Sequence, residues 1–442
     1  MALHTFAGGI HPPENKHVTA DKPFANLSIP QQCYIPMLQH IGRPAKPVIQ
    51  VGDTVTEGQL IGEADGLISA NIFASIPGRV VEIAEYHTVH AKKGLCVVIE
   101  AHGSFEPWNA HGGNGVWKDM DREALLDRVR NAGIVGLGGA AFPTHVKLNP
   151  PKNRAIDALI VNASECEPYL TVDDMLIKTF PEEILEGARI TMKTLGIGRA
   201  FIGIENNKKK AIDILKKAIH NASFEENIEL RPLKTKYPQG AEKQLIKSIL
   251  NREVPSGGLP MDVGAVVQNV GTIFAVREAV VQHKPLFERY MTVTGPCVKN
   301  PGNYKVRLGT RISDIIEECG GLVEEPARII MGGPMCGIAL DSMEIPVIKG
   351  TSGILLLKKD QIIRESYRPC IRCGRCVEAC PSGLVPCDLV NSIEKGRYDL
   401  VEPSHPFDCI MCGSCAYVCP SRRPLNHFIK VAQEKLRQKH KE

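Results

Sequence analysis

Residues 370–381 read CIRCGRCVEACP, and residues 409–420 read CIMCGSCAYVCP. Each is a Cys-x2-Cys-x2-Cys-x3-Cys-Pro run. At this spacing cysteine runs hold [4Fe–4S] clusters, and the fourth cysteine of each run serves the other cluster. Soft thiolates suit iron–sulfur ligation, and three of them two residues apart can wrap one face of a cube. The pattern predicts Cys370, Cys373, Cys376 and Cys419 on one cluster, and Cys409, Cys412, Cys415 and Cys380 on the other. Structural zinc sites, the competing reading, use two well-separated CxxC pairs. The runs point to electrons moved one at a time.

The rest of the chain is too long for one ordinary domain. Its 442 residues suggest about three. The net charge of +4 is small for this length and gives no bulk pull toward nucleic acid. Lys208-Lys209-Lys210 opens a predicted helix without interleaved aromatics and reads as a solvated face. Of 15 cysteines, eight lie in the two runs, which suits a reducing compartment. Cys33, Cys96, Cys297, Cys319 and Cys336 are scattered and read as small buried hydrophobes. The opening Met1-Ala2-Leu3-His4 leads into polar, Pro-rich sequence, so no secretory leader is expected. The best candidate for a membrane span, Val263 to Val281, carries Gln268, Asn269, Arg277 and Glu278. No transmembrane helix is expected, and membrane attachment would come through a partner.

The first hundred residues read as β, with strands at Val48–Val51, Gln59–Glu63 and Ile76–Ile83 and a Pro77-Gly78 turn. The stretch resembles a biotinyl/lipoyl-type barrel-sandwich, assigned to 1–110. Carrier domains of that kind modify a lysine on a hairpin tip. None stands between Ala64 and Ser75, so a docking scaffold is expected instead of a carrier. A Gly-rich linker, His111 to Gly115, precedes a helix over Asp121–Arg130 with Gly133 as its stop. Three strand–loop–helix units follow, with strands at Ala158–Val161, Phe201–Ile204 and Ile228–Leu230. They predict a parallel, Rossmann-like α/β domain over 120–288 with ligands beyond the strand ends. Residues 289–358 resemble a soluble-ligand-binding β-grasp (SLBB), 361–425 a two-cluster ferredoxin, and 426–442 a basic helical tail with a solvated face. The predicted fold is multidomain, mixing α/β and α+β modules.

Gly136-Leu137-Gly138-Gly139-Ala140-Ala141-Phe142-Pro143 lacks the preceding strand that a Rossmann fingerprint needs. Successive glycines let backbone N–H groups close on an anion, and Pro143 suits the first turn of a helix. An anion cradle and a tight turn between helices both fit these residues.

GLGGAAFPTHVKL (136–148) followed by VNASECEPYLTVDD (161–174) resembles the flavin and NADH site of the 51-kDa flavoprotein of respiratory complex I. The module order, opened by FAGGIHPPENK (6–16), resembles the RnfC family across nearly the whole chain. RnfC proteins are components of the Rnf ion-translocating ferredoxin:NAD+ oxidoreductase (electron transport) complex. This resemblance implies noncovalent FMN, NAD(H) as substrate and two [4Fe–4S] clusters. It places Gly136, Gly138 and Gly139 along the FMN phosphate and ribityl chain, Phe142 stacked on the dinucleotide or in the core, and Lys147 on a phosphate. Asn162 and Ser164 would bond the flavin, with Glu165 and Glu167 bordering flavin and nicotinamide or simply solvated at a strand end. Tyr237, Gly240 and Glu242 would fall on a dinucleotide-contacting loop, and Asn269 and Thr272 match an Asn and a Thr of the 51-kDa pattern. Leu137, Ala141, Cys166, Ala241 and Gln268 depart from that pattern.

The resemblance further implies a peripheral subunit on the cytoplasmic face of the membrane. Integral membrane and iron–sulfur subunits would be its partners, ferredoxin would be reached indirectly, and nucleic acid would not be involved. Hydride would pass between NAD(H) and FMN, and single electrons through the clusters, coupled to ion translocation. No side chain need act as general acid or nucleophile. Two rivals stand beside this reading: a cobalamin reductase-like flavin and iron–sulfur protein, and a flavin-free iron–sulfur relay module.

Overall fold

The computed structural model describes residues 3–103, 108, 116–222, 227–362 and 366–439. The predicted linker at His111 to Gly115 lies outside them. The first strands in chain order are β1 (Phe24–Asn26), β2 (Gln32–Pro36), β3 (Lys46–Pro47), β4 (Thr54–Val55), β5 (Leu60–Glu63), β6 (Ile72–Phe73), β7 (Gly78–Tyr86) and β8 (Gly94–Ala101). Sheets β2-β8-β7-β4 and β3-β5-β6 enclose a core that includes Ile35, Val55, Ile61, Ile72, Val80 and Ile99. The strand expected at Val48–Val51 is not formed. After Pro47 the Val48 amide still donates to Ile61 O at 3.0 Å, but Gln50 and Asp53 then close a turn, and Val48 and Val51 stand exposed.

Residues before β2 leave this barrel. β1 runs parallel to a strand of the β-grasp sheet, Ala25 opposite Tyr304. His4 bridges Leu233, and Ile10 bridges Tyr237. The opening segment is thus a strap over two other modules.

The α/β module comprises α1 (Arg122–Asn131), α2 (Thr144–Lys147), β9 (Ala158–Ala163), α3 (Val172–Thr179), α4 (Pro181–Leu195), β10 (Ala200–Glu205), α5 (Lys209–Asn221), β11 (Ile228–Leu233), α6 (Glu242–Leu250), β12 (Ala265–Asn269) and α7 (Val270–Val281). Asp121 caps α1 by accepting from the Ala124 amide at 2.8 Å. The sheet is parallel with order β11-β10-β9-β12. Every residue of β10 is buried, as expected for a strand covered on both faces. Leu245, Ile246 and Ile249 of α6 pack on one face, and α1, α4, α5 and α7 contribute to the core on the other. The apolar stretch Val263–Val281 is divided between a strand and a helix. Among the described residues, no helix is long and apolar enough to cross a membrane.

The β-grasp module has β13 (Glu288–Thr294), β14 (Gly302–Arg307), α8 (Ile312–Glu318), β15 (Arg328–Met331), β16 (Ile338–Leu340) and β17 (Gly353–Leu357), in a six-stranded sheet completed by β1. Lys349 joins three modules. Its buried Nζ donates to the carbonyls of Asn71, 2.6 Å away in the barrel, and Gly133, 2.8 Å away after α1. Burial pushes this ammonium down to about 7.

The C-terminal module has α9 (Arg375–Glu378), α10 (Pro386–Glu394), α11 (Tyr398–Val401), α12 (Ser414–Tyr417) and α13 (Leu425–Lys439). The two cysteine runs repeat one backbone course: Arg372 and Met411 have φ of 56° and 59°, and Gly374 and Gly413 have 78° and 74°. α13 buries Leu425, Ile429, Ala432 and Leu436 along one stripe, which leaves its basic residues on the outer face as expected.

Candidate cofactor sites

The sheet order reverses between β9 and β12, and a ligand of an open parallel sheet sits beyond the carboxyl ends at such a point. Asn162 and Asn269 are register partners there. The glycine loop comes up against them. It closes on itself, Gly136 N donating to Phe142 O at 2.8 Å and Ala141 N to Gly136 O at 3.1 Å. The Leu137 amide donates to Thr272 Oγ1 at 2.9 Å. A Cβ at Gly138 would lie 3.2 Å from Asn269 Cβ, and one at Gly139 would meet nothing within 4 Å. Gly138, Gly139 and Ala140 are exposed, so their backbone is open to a ligand, and Phe142 is half-buried.

Asn269 caps α7, accepting from the Gly271 amide at 2.8 Å and donating to Asp173 Oδ2 at 2.7 Å. Burial, aided by the Glu165 charge, pushes the Asp173 carboxyl up to about 7. Asn162 Nδ2 donates to Gly240 O at 2.8 Å, and its Oδ1 accepts from the Ser164 amide at 3.1 Å. Gly240 N donates to Cys166 Sγ at 3.2 Å. Ser164 Oγ and Gln268 Nε2 are buried here without a hydrogen-bond partner. Orphaned polar atoms beside an open glycine cradle fit a bound group with a polar edge and an anionic end, as FMN has.

Four expected residues have partners within the protein. Lys147 Nζ pairs with Glu242 Oε1 at 2.6 Å and donates to Val267 O at 2.8 Å. Glu165 accepts from the Asp173 amide at 2.6 Å and lies 3.9 Å from the Lys16 ammonium. Glu167 accepts from the amides of Met335 and Cys336 at 3.0 and 2.8 Å, so the β-grasp module holds it. Neither glutamate is a solvated strand-end residue. Lys16 also donates to the carbonyls of Glu165 and Glu167 at 2.8 and 2.9 Å.

Lys208 corrects the solvated-face reading of its triple-lysine run. It is buried, donating to Ser164 O at 2.6 Å and pairing with Glu205 at 3.2 Å, while Lys209 and Lys210 are exposed. Burial opposes its ammonium, but Glu205 and Glu165 more than offset this and raise its pKa. Two acids and two ammoniums, Glu165, Glu205, Lys16 and Lys208, thus neutralise one another behind the switch point. Lys16 carried a signal in the sequence, the opening FAGGIHPPENK; Glu205 carried none.

Tyr237 ties this region to the cysteine module. Its buried hydroxyl donates to Cys412 O at 2.9 Å and lies 2.9 Å from Cys336 Sγ. Cys336 is exposed, against the expectation of a buried hydrophobe; Cys33, Cys96, Cys297 and Cys319 are buried. Gln244 Nε2 donates to Pro381 O at 3.2 Å, and Gly9 N to Ala379 O at 3.0 Å. Gly8, at φ +75°, passes so close that a Cβ would stand 2.7 Å from Cys380 O.

Cys370, Cys373, Cys376 and Cys419 line one small cavity together with Cys387, which the spacing argument did not single out. Burial, then the neighbouring Cys387, pushes the Cys376 thiol up to about 12. Cys380, Cys409, Cys412 and Cys415 form the other group. Burial lifts the Cys409 thiol to about 11, and the charges of Cys412 and Cys380 add to it; Cys415 is raised by burial and by all three others. Crowded thiols that resist ionising alone fit a cationic iron–sulfur centre, which would hold them as thiolates.

Parallel α/β, β-grasp and paired-cysteine modules define a multidomain redox protein of the flavin and iron–sulfur class. Family models match module by module: the RnfC barrel sandwich hybrid domain at 4–104, the Nuo51 FMN-binding domain at 129–278, the SLBB domain at 290–339 and a 4Fe-4S dicluster domain at 369–422. The chain is 44% identical, over 98% of its length and 97% of the other protein, to the RnfC-type component of the Na(+)-translocating ferredoxin:NAD(+) oxidoreductase complex of Acetobacterium woodii. It is 47% identical, over 87% of its length and 83% of the other, to the corresponding component of the proton-translocating complex of Clostridium ljungdahlii. The chain belongs to this RnfC family, one component of ion-translocating ferredoxin:NAD(+) oxidoreductase complexes. An NAD+-reducing [NiFe]-hydrogenase in the air-oxidized state shares the fold, with a TM-score of 0.51 and 18% identity over 94% of this chain and 88% of that one.

Proposed function

We propose that this chain is the peripheral electron-transfer subunit of such a complex, on the cytoplasmic face of the membrane. It exchanges hydride between NAD(H) and FMN and passes single electrons through two [4Fe–4S] clusters, coupling ferredoxin/NAD redox chemistry to ion translocation. FMN, when bound, supplies the change from two-electron to one-electron transfer. The glycine loop with Asn269 and Thr272 would hold its phosphate end, and Asn162, Ser164 and the loop from Tyr237 through Gly240 to Glu242 its ring. Phe142 would border the dinucleotide. Lys147 would steady the ring side through Glu242 and the β12 end. Glu165 and Glu167 act from behind, fixing the α3 start and the β-grasp loop against the site.

The observation that carries the reading is the Tyr237 hydroxyl bonded to Cys412 O. It supports an order in which the Cys380, Cys409, Cys412 and Cys415 cluster is nearer the flavin. The cluster of Cys370, Cys373, Cys376 and Cys419, whose Cys373 is exposed, would then face the partner. Integral membrane and iron–sulfur subunits of the complex are the proposed partners, with ferredoxin reached through them. Anaerobic titration with NADH tests this. The flavin should bleach and both clusters become reduced; intact clusters beside a flavin that never bleaches would refute it, and the absence of releasable FMN would favour a relay module.

A further inference from the structure

The tip of the barrel-sandwich lies against the α/β module. Its two loops, 40–43 and 65–70, are stitched together. Arg43 N donates to Ile68 O at 3.0 Å, Ser69 Oγ to Arg43 O at 3.0 Å, and Ala70 N to His40 Nε2 at 3.1 Å. Gly42, at φ +109°, packs so tightly that a Cβ would lie 2.0 Å from Ile68 O, so this position excludes a side chain. The fixed tip holds three aliphatic side chains outward: Ile41 is 53% exposed, Leu67 76% and Ile68 39%.

It also abuts the glycine loop. Ile41 N donates to Ala141 O at 3.3 Å, one residue before Phe142. Between this tip and the switch point lies the exposed backbone of Gly138, Gly139 and Ala140.

We propose that Ile41, Leu67 and Ile68 form an apolar wall for the adenine ring of NAD(H), beside Phe142. The inference rests on the NAD(H) reading above and adds a subsite from a second domain. Dinucleotide sites are apolar with a few placed polar groups. The nicotinamide must reach the flavin at the switch point, so the adenosine half extends outward past the glycine loop, where this tip, joined to the loop at Ala141, presents its exposed aliphatic side chains. A carrier needs a mobile lysine arm at this position; this chain has a rigid, lysine-free, apolar one. Binding energy from the distant half of a substrate can then be used to position the reacting half.

The test uses the full chain with FMN and clusters, comparing wild type with Leu67→Ser, Ile41→Ser and, as control, Val48→Ser, a residue 48% exposed on the same barrel. ADP-ribose, which carries the adenosine half and no redox group, is titrated calorimetrically. KM is measured for NADH and for reduced nicotinamide mononucleotide, which lacks adenosine. Each tip variant should weaken ADP-ribose and raise the NADH KM by about tenfold, from the loss of one buried aliphatic side chain. KM for the mononucleotide and FMN content should not change, and Val48→Ser should match wild type. Unchanged ADP-ribose binding, or equal effects on both reductants, would overturn the adenine wall while flavin bleaching by NADH left the broader reading standing. A wild type that binds neither NADH nor ADP-ribose would overturn both.

Discussion

Gly8→Ala isolates what the N-terminal strap does for the cysteine module. At φ +75° an alanine is in the left-handed region, which costs about 1–2 kcal/mol. The added Cβ would also lie 2.7 Å from Cys380 O and 3.0 Å from Cys380 C, both backbone atoms with little room to yield. Overpacking of that kind costs about 1–3 kcal/mol. Together the local contact should weaken by about 2–5 kcal/mol. Gly321→Ala supplies the comparison, since Gly321 has φ +86° and nothing within 4 Å of its Cβ position, leaving only the conformational part. Native-state hydrogen exchange reads this directly, because the Gly9 amide is protected by its bond to Ala379 O and the Ile10 and Tyr237 amides by their mutual pairing. In Gly8→Ala these amides should exchange faster, by roughly thirtyfold to several thousandfold. Gly321→Ala should leave them unchanged. NADH should still bleach the flavin, with slower reduction of the clusters behind it. Unaltered exchange at Gly9, Ile10 and Tyr237 in Gly8→Ala would refute the claim that the strap presses on the Cys380 loop.

Cys419→Ser should abolish the electron paramagnetic resonance signal of the cluster built on Cys370, Cys373 and Cys376 and spare the other, and Cys380→Ser should do the reverse. Thr272→Val leaves the Leu137 amide buried and unpaired, which costs about 1–3 kcal/mol and should lower the FMN released per chain on denaturation. Lys16→Met strands the Glu165 carboxylate without its strap partner and should destabilise by about 3–5 kcal/mol, seen as a lowered thermal midpoint. Lys349 has a folded pKa of about 7 against an ordinary 10.5, so the unfolded chain binds more protons between those values. Its contribution should be fully present above pH 10.5 and be lost as pH falls toward 7, and Lys349→Met should flatten that slope in chemical denaturation.

The sequence was most legible where chemistry demands a fixed spacing. The cysteine runs set their own grouping because the two halves share one backbone course, down to the left-handed residues before and after the second cysteine. The parallel strands were legible because β9 and β10 are buried on both faces and so nearly continuous in apolar residues. The strand expected at Val48–Val51 failed because the chain bends at Gln50, whose amide donates to the Asp53 carboxylate and whose carbonyl accepts from the Asp53 amide, which propensity does not see. Lys208 looked like its neighbours in sequence; only the fold reveals a Glu205 and a Ser164 carbonyl waiting for it. Glu165 and Glu167 were read as facing a ligand from a local motif, but long-range partners, Lys16 and the Met335–Cys336 amides, decide where their carboxylates point. Cys387 shares no spacing with the runs, and reaches the first group only because α10 folds back on it.

The strap also sets an order of events. His4 pairs beside Leu233, and Gly9 bonds to Ala379, so the segment synthesised early completes its seat only after the distant C-terminal module has been made. Until then it can pair with Leu233 and the Tyr237 loop but has no Cys380 loop to meet. Closure over so long a stretch is slow compared with local folding. The strap therefore fastens in two stages, first to the α/β module and last to the cysteine module, and a chain truncated before Ala379 would leave its Gly8–Gly9 step without a partner.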